Sequence, residues 1–162
     1  MCLELTNSAP EAYVLAAALE SAADSVFVTD RNGAICWVNP AFCALTGYGR
    51  QEVIGANPRW LKSGYHEAGF YQDLWNTILS RRTWRGEITN RRKDGTLYTQ
   101  ELWINPVQDQ DQVITHFVGI GRDVRARKQS EELLAMSEEH FRRLVESAPE
   151  GILFTRRVFS VI

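Results

Sequence analysis

The feature that most constrains this sequence is an internal repeat of part of its own beginning. The segment LESAADSVFVT at 19–29 returns as VESAPEGILFT at 145–155, with small, charged and apolar positions in the same order. Self-similarity at a fixed offset indicates a duplicated structural unit, and this offset is the size of one small domain, on the order of 100 residues. We therefore expect one complete module followed, over 147–162, by the truncated start of a second.

The composition is that of an ordinary globular domain, with 44% hydrophobic and 23% charged residues in 162. A formal net charge of −2 argues against a nucleic-acid or anionic-membrane binder. No apolar run approaches the roughly 18 residues of a membrane span, and no basic signal-peptide segment begins the chain, so a cytoplasmic module is expected. Cys2, Cys36 and Cys43 form no CxxC pair, which predicts buried thiols rather than a disulfide or zinc framework.

Hydrophobic periodicity predicts an α+β domain. Helices are expected at 10–23, after Asn39-Pro40, at 66–80 and at 124–147, and strands at 25–29, 35–38, 84–92, 96–107 and 112–122. On the third of these helices, the residues expected to face the core are Phe70, Leu74, Trp75, Ile78 and Leu79. The prediction is one five-stranded antiparallel sheet at 24–123 with helices over one face. Residues 1–23 and 124–146 are expected to be flanking helices.

A series of short motifs follows this predicted framework. The motifs are TDRNG at 29–33, VNPAF at 38–42, LTGY at 45–48, EVIG at 52–55, WRGE at 84–87, NRRKDG at 90–95, NPV at 105–107 and GRDV at 121–124. Together they resemble the PAS sensory family with its PAC motif, over about residues 12–128. The resemblance implies a sheet whose concave face and helices enclose a small pocket. It also implies a sensor or dimerisation module that precedes an output domain such as a histidine kinase or a diguanylate cyclase.

Residues 55–61, GANPRWL, are similar to the flavin-binding loop of LOV photoreceptors, a PAS subgroup. In that subgroup a cysteine follows the Asn and attacks the flavin in light. Here Pro58 holds that position and has neither a thiol nor an N–H, so the resemblance implies no LOV-type covalent photochemistry. By the same resemblance Asn57 and Arg59 are candidate cofactor contacts, Arg59 at the flavin phosphate.

Later positions extend the comparison with flavin-binding PAS domains. Asn90 matches the strand Asn that contacts the pyrimidine edge in LOV domains, and Gln100 falls at a second such position. Gly121 replaces a LOV glutamine, which is a departure from the pattern. With Trp75 and Trp84 as ring surfaces, the run resembles the FAD-binding redox PAS domains of the nitrogen-fixation regulator and the methane-monooxygenase sensor kinase. That resemblance implies non-covalent FAD and redox or oxygen sensing.

Alternatives remain open on the sequence. Trp75 and Trp84 also fit core aromatics and Asn90 a solvated edge residue, in which case the module is a ligand-free or small-metabolite dimerisation relay. FMN is a weaker alternative to FAD, and haem bound through His66 a remote one. His116 and His140 share no metal-ligand spacing with His66. The chain has no GxSxG, HExxH or GxxxxGK motif, so no catalytic residue, no metal site and no enzymatic activity are predicted.

The flanking helices carry apolar residues suited to self-association. In the C-terminal helix the residues near heptad spacing are Leu134, Ser137, Phe141 and Leu144, and in the N-terminal helix the apolar stripe comprises Val14, Leu15, Ala18 and Leu19. Packing of the N-terminal stripe on its own sheet is the alternative. We expect a homodimer through both helices, whose packing changes with the state of the pocket.

Overall fold

The computed structural model describes residues 9–147, and the chain divides into two units after Arg125. The helices are α1 Ala9–Ser21, α2 Pro40–Thr46, α3 Arg50–Val53, α4 Ala68–Leu79 and α5 Arg125–Ser147, with a 3₁₀ turn at Pro58–Leu61. The strands are β1 Ser25–Asp30, β2 Ile35–Val38, β3 Trp84–Arg91, β4 Leu97–Gln108 and β5 Ile114–Asp123. The predicted elements are therefore present, with ends that differ by at most two residues.

The five strands form one antiparallel sheet in the order β2-β1-β5-β4-β3, which confirms the predicted fold class. Burial alternates along β4, where the side chains of Tyr98, Gln100, Leu102 and Ile104 are all buried. This inner face packs with residues of α2, α3 and α4 into one apolar core. Period-two alternation places one face of the sheet toward the helices.

Two expectations about burial were wrong. Leu79 is 57% exposed, because the buried stripe of α4 runs through Leu74 and Ile78 and the next residue lies about a quarter-turn away from it. Cys36 is exposed rather than buried, since it alternates with Ile35 on the short edge strand β2. Cys43 is half-buried, and burial raises the pKa of its thiol.

Asn39 joins three elements through its fully buried side chain. Its Oδ1 accepts hydrogen bonds from the Val26 and Phe42 amides, both at 2.9 Å, so it caps α2 and fixes the start of β1. Its Nδ2 donates to the carbonyl oxygens of Asp24 at 2.9 Å and Leu19 at 3.2 Å. One amide thus connects the end of α1 with the sheet and the first helix over it.

Loop groups bind the outward backbone atoms of both edge strands. On β3 the Thr89 amide donates to His66 Nε2 at 2.9 Å, and the Thr89 carbonyl accepts from Ser63 Oγ at 2.6 Å. On β2 the Ile35 amide donates to the Ala56 carbonyl at 2.9 Å, and the Gly55 amide donates to the Ile35 carbonyl at 2.8 Å. The segments before α4 and after α3 are therefore anchored to the sheet through its two outer strands.

The long helix α5 begins at a carboxylate cap. The Arg125 amide donates to Asp123 Oδ1 at 2.9 Å, and the Arg125 guanidinium pairs with the same carboxylate. Burial raises the pKa of Asp123, but the bonds from Arg125 outweigh that effect and hold it below its usual value. Along the helix Leu134, Phe141 and Leu144 are all more than half exposed.

The truncated second module predicted at 147–162 lies outside the described residues except for Ser147. Cys2 lies outside them as well. The domain boundaries drawn from the sequence therefore stay predictions. Within 9–147, no helix combines the length and the apolar character needed to cross a bilayer.

Candidate functional site

A cavity of about 300 Å³ lies between the inner face of the sheet and α4. Its apolar walls come from strands, α2 and α4, and comprise Phe27, Phe42, Leu74, Trp75, Ile78, Ile88, Leu102, Ile104 and Phe117. The volume is at the lower end of the range for small-molecule sites, about 300 Å³ and above. Apolar walls with a few fixed polar groups are typical of sites that bind small molecules.

Two polar atoms on this wall have no hydrogen-bond partner among the described residues. They are Gln100 Oε1, on a side chain that is 4% exposed, and the hydroxyl of Tyr71. Burial also raises the pKa of the Tyr71 phenol, so it remains protonated at neutral pH. A buried polar atom without a partner costs about 1–3 kcal/mol. Both atoms are therefore suited to a polar group of a bound ligand.

Asn90 supplies a third polar side chain, 4% exposed, on the inner face of β3. Its backbone forms an antiparallel bridge with Lys62, which fixes the segment after the 3₁₀ turn beside it. On the neighbouring strand β4, Asn90 pairs with Tyr98, and burial raises the pKa of the Tyr98 phenol to about 12. The polar end of the cavity thus lies on β3 and β4.

Half-buried and exposed lining residues mark the open side of the cavity. Asn57 Oδ1 accepts from the Arg59 amide at 3.1 Å and so caps the 3₁₀ turn, while its Nδ2 lies 2.7 Å from where a Cβ on Gly33 would stand. Arg59 and Lys62 are exposed and line the same opening. Neither forms an ion pair with any described residue, so this mouth carries positive charge.

The structure brings five of the six predicted cofactor contacts to the cavity, namely Asn57, Arg59, Trp75, Asn90 and Gln100. Trp84 is the exception. It is 5% exposed in the core, where its Nε1 donates to Asp73 Oδ2 at 3.2 Å and its ring packs edge-on against Phe70. Its position fits the core-aromatic alternative. Cofactor binding by the other five stays a prediction.

His66, the sequence candidate for a haem ligand, does not line the cavity. Its Nε2 already accepts from Thr89, and its ring stacks on Phe70 with 3.9 Å between centroids. Desolvation lowers the pKa of His66, which favours the neutral acceptor form. Within residues 9–147, no three His, Cys, Asp or Glu side chains cluster closely enough to hold a metal ion.

Tyr71 and Lys62 are among the polar lining residues that the sequence did not indicate. Tyr71 lies one helical turn before Trp75 on α4, a spacing that the periodicity already contained. Lys62 follows directly after the 3₁₀ turn, and no motif distinguishes it from a solvated lysine.

The fold and the cavity define the class of protein. Residues 14–124 match the family model described as the PAS fold, and the chain belongs to this family. Over 106 residues it is 37% identical to a nitrogen fixation regulatory protein of Klebsiella oxytoca, covering 65% of this chain and 21% of that protein. Over 118 residues it is 32% identical to a blue-light photoreceptor of Listeria monocytogenes, covering 71% of this chain and 46% of that one.

Solved structures agree with this assignment. The chain superposes on the LOV domain of a blue-light activated histidine kinase from Erythrobacter litoralis with a TM-score of 0.57 and 32% identity, over 62% of this chain and 94% of that one. An RNA-binding Light-Oxygen-Voltage receptor gives a TM-score of 0.71 and 27% identity, over 87% and 41%. The chain is thus a sensory PAS domain and spans about a fifth of the nitrogen fixation regulators it matches.

Proposed function

We propose that this PAS domain binds a flavin non-covalently in its cavity and senses redox state or oxygen. The observation that carries the proposal is Gln100 Oε1, a buried acceptor without a partner in the wall of an apolar cavity. The pyrimidine edge of an isoalloxazine presents N–H and C=O groups, which a carboxamide can bind. Asn90 offers a second carboxamide on the neighbouring strand.

The remaining wall supports the same ligand. Trp75, Leu74 and Ile78 form an apolar side on α4, opposite Ile88 and Leu102 on the sheet. A flat tricyclic ring needs such a slot, and when bound it supplies reversible electron transfer. Pro58 also lines the cavity, so no thiol stands at the position used by LOV photoreceptors. These features favour redox chemistry over covalent photochemistry.

FAD is the form we propose, on the resemblance to FAD-binding redox PAS domains. An absorption spectrum of the freshly purified protein, before and after dithionite, tests it. We expect bands near about 370 and 450 nm that bleach reversibly, and release of FAD on denaturation. A spectrum flat above 350 nm, unchanged after refolding with FAD or FMN, would refute flavin binding and favour the ligand-free relay.

We further propose that the module is cytoplasmic, is not itself an enzyme, and acts as a homodimer on a histidine kinase or diguanylate cyclase output. The exposed apolar side chains of Leu134, Phe141 and Leu144 support self-association of α5. A link from the cavity to this helix is supported by the register of the sheet, in which Gln100 pairs directly with Asp123, the cap of α5. A change in the hydrogen bonds of Gln100 would therefore act directly across the ladder from Asp123, the residue that caps the start of α5.

A further inference from the structure

We infer that Asp123 has two alternative arginine partners, Arg125 in this structure and Arg92 in a second state, and that α5 is capped only in the first. This exchange of partners makes the start of α5 a two-state element. The exchange is a property of the chain itself, and only its use in signalling rests on the proposed function.

The guanidinium of Arg92 is incompletely paired. Its Nε donates to the Leu45 carbonyl at 2.8 Å and its Nη1 to the Leu97 carbonyl at 3.1 Å. Its Nη2 is buried and has no hydrogen-bond partner among the described residues. A buried donor without a partner is costly, and more so on a charged group. Asp94, the carboxylate closest to it in sequence, is exposed and already accepts two bonds from Thr96.

Asp123 lies within reach of this guanidinium. The Cζ atom of Arg92 is 4.8 Å from the centre of the Tyr98 ring. Tyr98 and Gln100 share the inner face of β4, and Gln100 pairs directly with Asp123, which therefore lies on the same face. Asp123 is thus the diagonal neighbour of Tyr98, and such neighbours are about 7–8 Å apart, within the span of a long side chain. Burial raises the pKa of Asp123, the bonds and charge of Arg125 lower it, and the charge of Arg92 lowers it further.

The ion pair of Asp123 with Arg125 is weakly held. The two side chains are 29% and 53% exposed, and an exposed ion pair contributes little to stability. The helix dipole also opposes a cation in the first turn of α5. The two arrangements therefore differ little in free energy, because one satisfies Nη2 of Arg92 and the other keeps the bond from the Arg125 amide to Asp123.

Hydrogen exchange at the amide of position 125, measured by NMR and corrected for its intrinsic rate, reports the cap directly. Arg125→Gln removes the partner of the observed state. We expect exchange at this amide to become about tenfold faster or more, since Asp123 then turns to Arg92 and a hydrogen bond to a charged group is lost. A purely structural role of Arg125 predicts unchanged or slower exchange, because loss of the cation leaves the cap in place and removes an unfavourable interaction with the helix dipole.

Second substitutions identify the competing partner. Arg92→Gln should restore slow exchange in the Arg125→Gln background. Asp123→Asn should restore it as well, since an asparagine still caps a helix but carries no charge to attract Arg92, whose bond to α2 it leaves intact. Lys93→Gln is the matched control. It removes a charge of the same sign from the next residue, which pairs with Glu52 at 2.5 Å, and it should restore nothing.

The outcomes decide between the switch and its absence. Faster exchange in Arg125→Gln that is reversed by Arg92→Gln or Asp123→Asn, but not by Lys93→Gln, supports the switch. Unchanged or slower exchange in Arg125→Gln overturns it. Faster exchange that neither substitution reverses also overturns it, because Arg92 is then not the competitor. None of these rates requires a bound flavin, so a protein that binds no flavin overturns the proposed function alone.

Discussion

Gln100 occupies the space above Gly121, so closely that a Cβ on Gly121 would lie 2.1 Å from Gln100 Oε1. Gly119, two residues earlier on β5, has the same relationship with Phe27, because a Cβ on Gly119 would lie 2.2 Å from Cζ of the Phe27 ring. The inner face of β5 therefore carries no side chain at either position. The two glycines admit side chains from neighbouring strands, and Gly121 leaves room for the carboxamide of Gln100 in the cavity wall.

The first prediction concerns this pair. Gly121→Ala should push Gln100 out of its place and weaken flavin binding about tenfold or more, because a buried polar contact is lost. Flavin titration measures the loss of binding, and thermal unfolding measures how far the displacement destabilises the domain. Gly69→Ala on α4, where an added Cβ meets nothing within 4 Å, is the control and should be neutral or slightly stabilising.

The Gln100→Ala background makes this test stricter. Once the carboxamide is removed, Gly121→Ala should destabilise the domain much less than it does in the wild type. Equal effects in the two backgrounds would contradict the steric relationship.

The second prediction concerns Asn39. Asn39→Ala should lower the free energy of unfolding by roughly 3 kcal/mol, since it leaves the buried Val26 amide unpaired and removes the cap of α2. Asn39→Asp should be at least as harmful, because a buried carboxylate would face carbonyl oxygens that Nδ2 now satisfies. Urea denaturation measures both variants.

Asn76→Asp makes the same chemical change at an exposed site on α4 and should alter stability by less than about 0.5 kcal/mol. If Asn39→Asp behaves like this control, Asn39 does not join the elements as described.

The third prediction is a pH dependence set by His66. Its folded pKa lies below the unfolded value of 6.5 because burial disfavours the charged ring. As the pH falls, the unfolded chain takes up the proton first. Stability from neutral His66 is therefore fully present above pH 6.5 and is lost as the pH falls toward the folded pKa.

Melting temperatures at about pH 7.5 and about pH 5.5 test this. The decrease on acidification should be smaller in His66→Gln, whose amide can still accept from Thr89 but does not titrate. His116→Gln, at an exposed position on β5, should keep the wild-type decrease. A decrease that is equal in wild type and His66→Gln would rule out this role.

The fourth prediction concerns the proposed dimer. Phe141→Glu on the heptad seam of α5 should convert a dimer into a monomer at micromolar concentration, as measured by light scattering. Met136→Glu is the matched control, because Met136 is 68% exposed and Phe141 is 65% exposed, but Met136 lies off the seam. A wild-type monomer, or equal dissociation in both variants, would contradict the dimer.

The fold was predictable from the sequence because its signals are local. Alternation defined the strands, Asn39-Pro40 marked the start of α2, and the absence of Gly and Pro defined α5. The predictions of burial failed where burial depends on which elements pack nearby. Leu79 and Cys36 are the examples, because both follow the periodicity but lie beside the core.

The site was predictable only in part for the same reason. The side chains of Trp84 and Asn90 both lie on the inner face of β3. The placement of α4 decides that Trp84 contacts Phe70 and that Asn90 lines the cavity. The motifs led to Asn57 and Arg59, but the cation–π contact of Lys62 with Tyr71 depends on two segments that only the tertiary fold brings together.

The hydrogen bonds that join Ser63 and His66 with Thr89, and Gly55 and Ala56 with Ile35, affect how copies of this domain associate. A sheet with free outer strands can accept a strand from another copy, and repetition of that contact produces fibres. Here the backbone groups of Thr89 on one outer strand and of Ile35 on the other are already bonded to the chain's own loops. Association by strand addition is therefore disfavoured. We expect copies of the chain to associate through surfaces other than the two outer strands of the sheet.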